Sequence, residues 1–297
     1  MRVLLFGSTG QVGHALQGLS RSGEPSSPQW ICLTRQDCDL ADAASIRAAI
    51  ERVRPDAIVN AAAYTAVDKA ESDREACYLV NATAPGVMAA AAAPIGAKVV
   101  HYSTDYVFDG TKGAPYTEQD QTAPCNVYGA SKLAGEQAVL GANPNALILR
   151  TSWVYSSYGA NFLKTMLRLG SERPELRIVA DQHGAPTSAE AIAAATVRIL
   201  EMAHDRKWSG GVHHMTAAGE TTWYDFAKAI FARAPGTVPT VLPITTAEYP
   251  TPAVRPAYSV LSNEKFAQTF GFRLPKWQQQ LDAVMEPSAG AVRKVAG

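Results

Sequence analysis

The first thirteen residues most narrow what this chain can fold into. An apolar run from Val3 to Phe6 breaks into Gly7-Ser8-Thr9-Gly10-Gln11-Val12-Gly13, after which Leu16 and Leu19 continue at helical spacing. A strand that turns through glycines into a helix is the opening of a βαβ unit that holds a dinucleotide. Gly7 permits the tight turn, Gly10 lets backbone approach a pyrophosphate, and Gly13 lets the helix pack closely on the strand.

Strand and helix patterns alternate from there. Trp30 to Leu33 reads as a strand after a Ser/Pro/Gly-rich loop from Ser20 to Pro28, then come a helix from Ala43 to Val53 and a strand from Ala57 to Val59. A long helix starts at Val67 and runs through Asn81 to Ala93, followed by a strand from Lys98 to Tyr102. This alternation predicts an α/β fold, a Rossmann-type doubly wound parallel sheet, with a smaller C-terminal α/β part for the substrate. Beyond Val154 the pattern changes. Helices are expected over Asn161 to Leu169, Ser188 to Ala203 and Thr222 to Ala234, with strands over Arg177 to Ala180 and Val212 to Met215. Closely spaced prolines predict an extended, irregular cap over Pro235 to Pro256. Asn263 to Phe270 and Trp277 to Met285 read as short surface helices, and Val292 to Gly297 as a frayed end. The expected division is residues 1–152, with parts of 185–215 returning to them, against 153–184 and 216–297.

Composition removes several classes of function. Lys and Arg together number 27 and so do Asp and Glu, so no basic field invites nucleic acid. No long uninterrupted apolar run suggests a membrane span, and Val3 to Phe6 is too short for a signal-peptide core, so a soluble cytoplasmic protein is expected. Cys32, Cys38, Cys77 and Cys125 form no Cys-x-x-Cys pair, and the six histidines make no metal-ligand spacing with them; reduced structural cysteines and no metal site are expected.

The chemistry points to Tyr128-Gly129-Ala130-Ser131-Lys132 and to Ser103-Thr104-Asp105-Tyr106 at a strand's carboxyl end. On a helix Tyr128 and Lys132 sit one turn apart, so an ammonium can favour the phenolate and bring a phenol of pKa about 10 toward working pH. A hydroxyl from Ser103 or Thr104 would give the phenol oxygen a second partner. At the end of the second strand an acid would accept from the adenosine ribose and repel a 2′-phosphate. Thr34 and Arg35 stand there instead, which favours NADPH, with Arg35 otherwise a solvated loop charge. Trp30 flanks that pocket or packs as a buried strand aromatic. The small residues of Asn60-Ala61-Ala62-Ala63-Tyr64-Thr65 would let backbone pass close under a cofactor, although Ala-rich packing explains them equally well.

The G-x-x-G-x-x-G spacing resembles the extended short-chain dehydrogenase/reductase superfamily. With it, in order, stand the Asn60 to Glu71 segment, Ser103-Thr104-Asp105-Tyr106-Val107-Phe108, Asn126 to Lys132, Arg150-Thr151-Ser152-Trp153-Val154-Tyr155, Asp181 to Thr187 and Tyr249 to Pro256. Over nearly the whole chain these are similar to the dTDP-4-dehydrorhamnose reductase family. The resemblance implies reduction of a 4-keto nucleotide sugar, with dTDP-L-rhamnose as product for polymers such as lipopolysaccharide O-antigen. It makes Tyr128 the proton donor, Lys132 the residue that tunes it and binds the nicotinamide ribose, and Thr104 the hydroxyl that adjusts the phenol. Cofactor contacts fall on Gly7, Gly10, Gln11, Val12, Gly13, Trp30, Arg35, Asp39, Leu40, Ala61, Ala62, Ala63, Tyr64, Thr65 and Ser103, besides Tyr128 and Lys132. Substrate contacts fall on Val67, Thr104, Asp105, Tyr106, Trp153 and Arg255, where Trp153 walls the sugar or packs as a core aromatic and Arg255 meets the diphosphate or caps a helix. NADPH is the expected cofactor, with NADH as a second. Some members are described as binding magnesium at a dimer contact through helix carboxylates. Glu190 stands on such a helix, but Ala15 offers no oxygen, so no metal site is expected, while a homodimer stays in view. Two other readings remain: an epimerase or dehydratase of the same superfamily, and a non-catalytic regulatory subunit of the methionine adenosyltransferase type. Dehydratases there carry an Asp-Glu pair after the catalytic Thr, where this chain has Asp105-Tyr106.

Overall fold

The computed structural model describes residues 1–20, 28–204, 208–236 and 238–286. The N-terminal half runs β1 (Arg2–Phe6), α1 (Gln11–Ser20), β2 (Gln29–Leu33), α2 (Ala43–Val53), β3 (Ala57–Asn60), α3 (Val67–Ala70), α4 (Arg74–Tyr78), α5 (Ala84–Ala92), β4 (Lys98–Thr104), α6 (Val127–Ala142) and β5 (Leu147–Thr151). The remainder runs β6 (Val154–Tyr155), α7 (Phe162–Glu172), β7 (Glu175–Val179), β8 (His183–Gly184), β9 (Thr187–Ser188), α8 (Ala189–His204), β10 (Gly211–His214), β11 (Thr221–Thr222), α9 (Trp223–Phe231), β12 (Thr240–Ile244), α10 (Glu264–Phe270) and α11 (Trp277–Met285).

Six strands form one sheet in the order β10-β5-β4-β3-β1-β2, and every pairing in it is parallel. This is the doubly wound sheet that the alternation predicts. From β1 the chain steps outward to β2 and then back past β1 to β3, so the crevice between the carboxyl ends of β1 and β3 is where a doubly wound sheet takes its ligand. Side chains alternate between faces along each strand. Val3, Leu5, Val59, Val100 and Leu149 pack with Leu16, Ile192 and Phe266 on one side. Leu4, Phe6, Ile58, Val99 and Ile148 pack with Ile46, Met88 and Val139 on the other. A third cluster, around Tyr155, Met166, Phe226, Ile230 and Trp277, lies among α7, α9 and α11.

Several expectations need correction. The long helix from Val67 is broken: α3 ends at Ala70, and α4 passes through a wide helical turn at Leu79–Thr83 into α5. The continuous run Arg74–Ile95 is long and apolar enough to cross a membrane by length and composition. Here Met88, Ala89 and Ala92 of that run are packed against the sheet. The proline-rich stretch contains a regular strand, since β12 pairs in parallel with β7 and places Pro243 opposite Ile178. In a two-stranded sheet every strand is an edge, where proline's missing N–H is tolerated. The last two helices are not merely superficial, since Phe266, Phe270, Trp277 and Leu281 are buried. Of the loop from Ser20 to Pro28, residues 21–27 lie outside the described residues, as does the end from Val292 to Gly297.

Candidate active site

A cavity of about 630 Å³ follows the carboxyl ends of β2, β1, β3 and β4 to the start of α6. Gly7, Gly10, Gln11, Val12, Arg35, Asp39, Leu40, Ala61, Ala62, Ala63, Tyr64, Thr65, Ser103, Tyr128 and Lys132 all line it. Its floor depends on bare backbone. Gly7 has φ +78°, and a Cβ there would overlap the backbone of Ala62, while one on Gly13 would overlap the Gly7 carbonyl oxygen. Gly13 therefore serves helix packing and does not line the cleft. The shape and the glycine floor fit an extended dinucleotide.

Trp30 is a correction. It stands opposite Val3 in register and packs, half-buried, against the core cluster on that face, so it does not line the cleft. The sequence reading also missed a clasp on the glycine turn. Gln11 Oε1 accepts from Asn161 Nδ2 at 2.8 Å and from Ser156 Oγ at 3.1 Å, which ties the turn to the segment before α7. The His14 ring stacks on Tyr158 of the same segment, centroids 3.8 Å apart.

At the inner end of the cleft, Asn126 starts α6 by accepting from the Gly129 N–H at 2.7 Å, which presents Tyr128 in the first turn. Burial pushes the Tyr128 phenol above its usual range, and the Thr104 hydroxyl beside it pulls the other way. Thr104 Oγ1 in turn donates to Asp105 Oδ1 at 3.0 Å. Asp105 is 2% exposed, and its Oδ2 has no hydrogen-bond partner among the described residues. Burial pushes its carboxyl up to about 7, against the pull of the neighbouring Ser259 and Thr104 hydroxyls. An orphaned buried acceptor is what a ligand hydroxyl satisfies. The Tyr106 ring meets that of Tyr128 edge-on, at 5.9 Å.

Lys132 is buried one turn along, and its Nζ donates to the Tyr102 carbonyl at 2.6 Å rather than to the phenol. Burial lowers the ammonium to about 8, while Glu136 and Cys77 hold it up. Glu136, another turn on, receives a bidentate ion pair from Arg150 at 2.8 and 2.7 Å and a bond from Ser103 at 2.5 Å. These contacts fasten the helix carrying Tyr128 and Lys132 to β4 and β5. The sequence held a signal for it: Glu136 is the single acidic residue of α6 and falls one turn after Lys132.

Two expected substrate residues stand at the edge of this cluster. Val67 opens α3, half-buried, next to Asp68. Arg255 donates to Asp68 through Nη1 at 2.9 Å and Nη2 at 2.7 Å, and Thr251 and the Ala253 carbonyl complete its contacts. It is a clasp between the proline-rich loop and α3, neither a helix cap nor a loose cation, and its charge is felt at Tyr106. Trp153 belongs to a separate group, with its indole stacked on Trp223. It is joined to the cleft through its flanking residues, since Thr151 and Val154 both line the cavity. Among the described residues no three His, Cys, Asp or Glu side chains gather as a metal site.

The chain that carries this geometry resembles known proteins in both sequence and fold. The family model described as the RmlD substrate binding domain matches residues 1–289. The chain is 49% identical to the dTDP-4-dehydrorhamnose reductase of Burkholderia thailandensis, covering 94% of this chain and 96% of that one. A crystal structure of a dTDP-4-dehydrorhamnose reductase from Clostridium acetobutylicum has TM-score 0.90 at 38% identity, covering 96% of this chain and 99% of that one. The enzyme of the same name from Bacillus anthracis, solved in complex with NADP, has TM-score 0.88 at 38% identity, covering 95% of this chain and 98% of that one. Tyr128, Lys132, the glycine turn and the cleft between them stand in a chain that follows these relatives over nearly its whole length, and it belongs to the dTDP-4-dehydrorhamnose reductase family.

Proposed function

We propose that this protein reduces the 4-keto group of dTDP-4-dehydro-L-rhamnose to give dTDP-L-rhamnose, with NADPH preferred over NADH. The observation that carries the reading is Tyr128 at the inner end of a dinucleotide cleft, with Thr104 and the half-partnered carboxyl of Asp105 buried beside it. The NADP complex of the Bacillus anthracis relative supports the cofactor.

The chemistry that a bound nicotinamide supplies is the hydride delivered to the sugar C4. Tyr128 gives its phenol proton to O4 as negative charge develops there, a contribution of about 10²- to 10⁴-fold in rate. Burial keeps that proton on the phenol until the alkoxide forms, and the Thr104 hydroxyl eases the phenolate that is left. Lys132, charged at neutral pH, holds a cation at the same strand end. Asp105, buried beside Tyr128, places its carboxyl next to the phenol, and Trp153 presents an indole to the ring's C–H face. Val67, Tyr106 and Arg255 are assigned to the nucleotide sugar, with Arg255, already paired with Asp68, as the cation for the diphosphate. Arg35 at the end of β2 meets the 2′-phosphate.

In this reading residues 1–152, with β10 and α8 returning to them, hold the cofactor, and 153–184 with 216–297 hold the nucleotide sugar. In the same reading the protein works in the cytoplasm. NADPH consumption is to be followed with the keto sugar generated in place from its precursor, beside an NADH arm and a no-substrate control. Stoichiometric oxidation with dTDP-L-rhamnose formed establishes the reductase. Absence of oxidation by folded protein that binds NADPH sends the assignment to an epimerase of the superfamily or to a regulatory subunit.

A further inference from the structure

The end of β2 carries a feature that the strand-end residues alone do not reveal. Thr34 and Arg35 line the outer end of the cleft, where a doubly wound fold places the adenosine ribose. Asp37, exposed on the following turn, folds back on Thr34: its Oδ2 accepts from the Thr34 N–H at 2.8 Å and from the Thr34 hydroxyl at 2.6 Å. The turn is fixed by backbone as well, since the N–H groups of Asp37 and Cys38 both donate to the Thr34 carbonyl at 3.1 Å. Those side-chain bonds, with help from Arg52, hold the Asp37 carboxyl below its ordinary range, so it is ionised at neutral pH. Arg35, beside it, is exposed and makes no ion pair among the described residues.

An acid missing from the strand end is thus returned to it by a turn. We propose that Asp37 sets the cofactor preference of this enzyme: by occupying both donors of Thr34 and fixing a negative charge beside Arg35, it opposes the 2′-phosphate that Arg35 attracts. The ribose end of the cleft then sets the Arg35 cation against two acidic side chains, Asp39 in the lining and Asp37 on the adjoining turn, which moderates the choice between NADPH and NADH instead of enforcing it. The inference rests on the dinucleotide reading of the cleft.

The test is binding of 2′,5′-ADP and of 5′-AMP, which differ only in the 2′-phosphate, measured by titration calorimetry on the full-length protein. Asp37→Asn keeps an acceptor for Thr34 and removes the charge. It is expected to raise the affinity ratio of 2′,5′-ADP to 5′-AMP by about threefold or more, the size of one exposed opposing charge. Arg35→Gln is expected to lower the same ratio. Asp37→Ser, which also accepts from Thr34, stands in if the Asn variant melts early. A ratio unmoved by either Asp37 variant, with both nucleotides still binding, overturns the proposal alone. Failure of the wild type to bind either nucleotide overturns the dinucleotide reading and the proposal with it.

Discussion

Trp153 and Trp223 lie face to face, with ring centroids 3.6 Å apart and planes within 6°. The indole expected against the sugar is therefore backed by a second indole from the start of α9. Trp153 is also held at φ +47°, in the left-handed region that bulky residues seldom occupy. Such a conformation costs on the order of 1–3 kcal/mol and persists only where the surroundings fix it. The stack supplies part of that fixing, and Gly184 leaves room for the ring, since a Cβ there would overlap it. Trp223→Ala is expected to lower kcat/KM for the nucleotide sugar by about two- to tenfold, the worth of one aromatic pair. Dinucleotide affinity stays as it was, and steady-state kinetics beside a cofactor titration separates the two. An equal loss in both would remove Trp153 from the substrate side.

Tyr128→Phe removes the proton donor and almost no volume. Turnover should fall by about 10²- to 10⁴-fold, while NADPH binding measured by fluorescence changes little. A variant that keeps a third of its turnover refutes the role.

Asp105 links the site to pH. Its folded carboxyl titrates at about 7, above the usual value of about 3.9 for the unfolded chain. The native state therefore holds the extra proton between those values, so the stabilising contribution is complete below pH 4 and is lost as pH rises through 7. The loss amounts to roughly 4 kcal/mol. Asp105→Asn, which copies the neutral acid, is expected to flatten the fall in melting temperature between acid and neutral pH. Parallel melting curves for the two proteins across that interval would mean that the carboxyl is ionised in the fold.

Glu136 and Arg150 form an ion pair with side chains 4% and 5% exposed. Glu136→Ala strands a guanidinium in the interior and should cost about 3–5 kcal/mol in urea unfolding. Glu136→Gln, which can still accept from Ser103, is expected to lose less. A cost below about 1 kcal/mol for the alanine variant would place the pair in the class of solvent-relieved surface bridges.

What could be read from the sequence was whatever depends on near neighbours. The glycine turn, the Tyr128–Lys132 spacing and the small residues after β3 are local patterns, and the cleft gathers them as the patterns require. Trp30 shows where that stops. Which face a strand residue points to is fixed by register against β1, and one step along the strand reverses it. The clasp of Gln11 by Asn161 and the pairing of Asp68 with Arg255 join residues remote in sequence, and no local pattern marks either partner. The strand β12 was hidden because proline argues against strands in general but not against edges.

The clasp of Arg255 on Asp68 spans 187 positions. A ribosome adds roughly 5–20 residues per second, so Asp68 waits about ten to forty seconds for its partner during synthesis. By then β1 to β5 and the glycine turn have long emerged. The side of the molecule proposed to meet the sugar is thus finished last, and a nascent or clipped chain ending before Thr251 retains the glycine turn and the phenol but lacks the Arg255 clasp on α3.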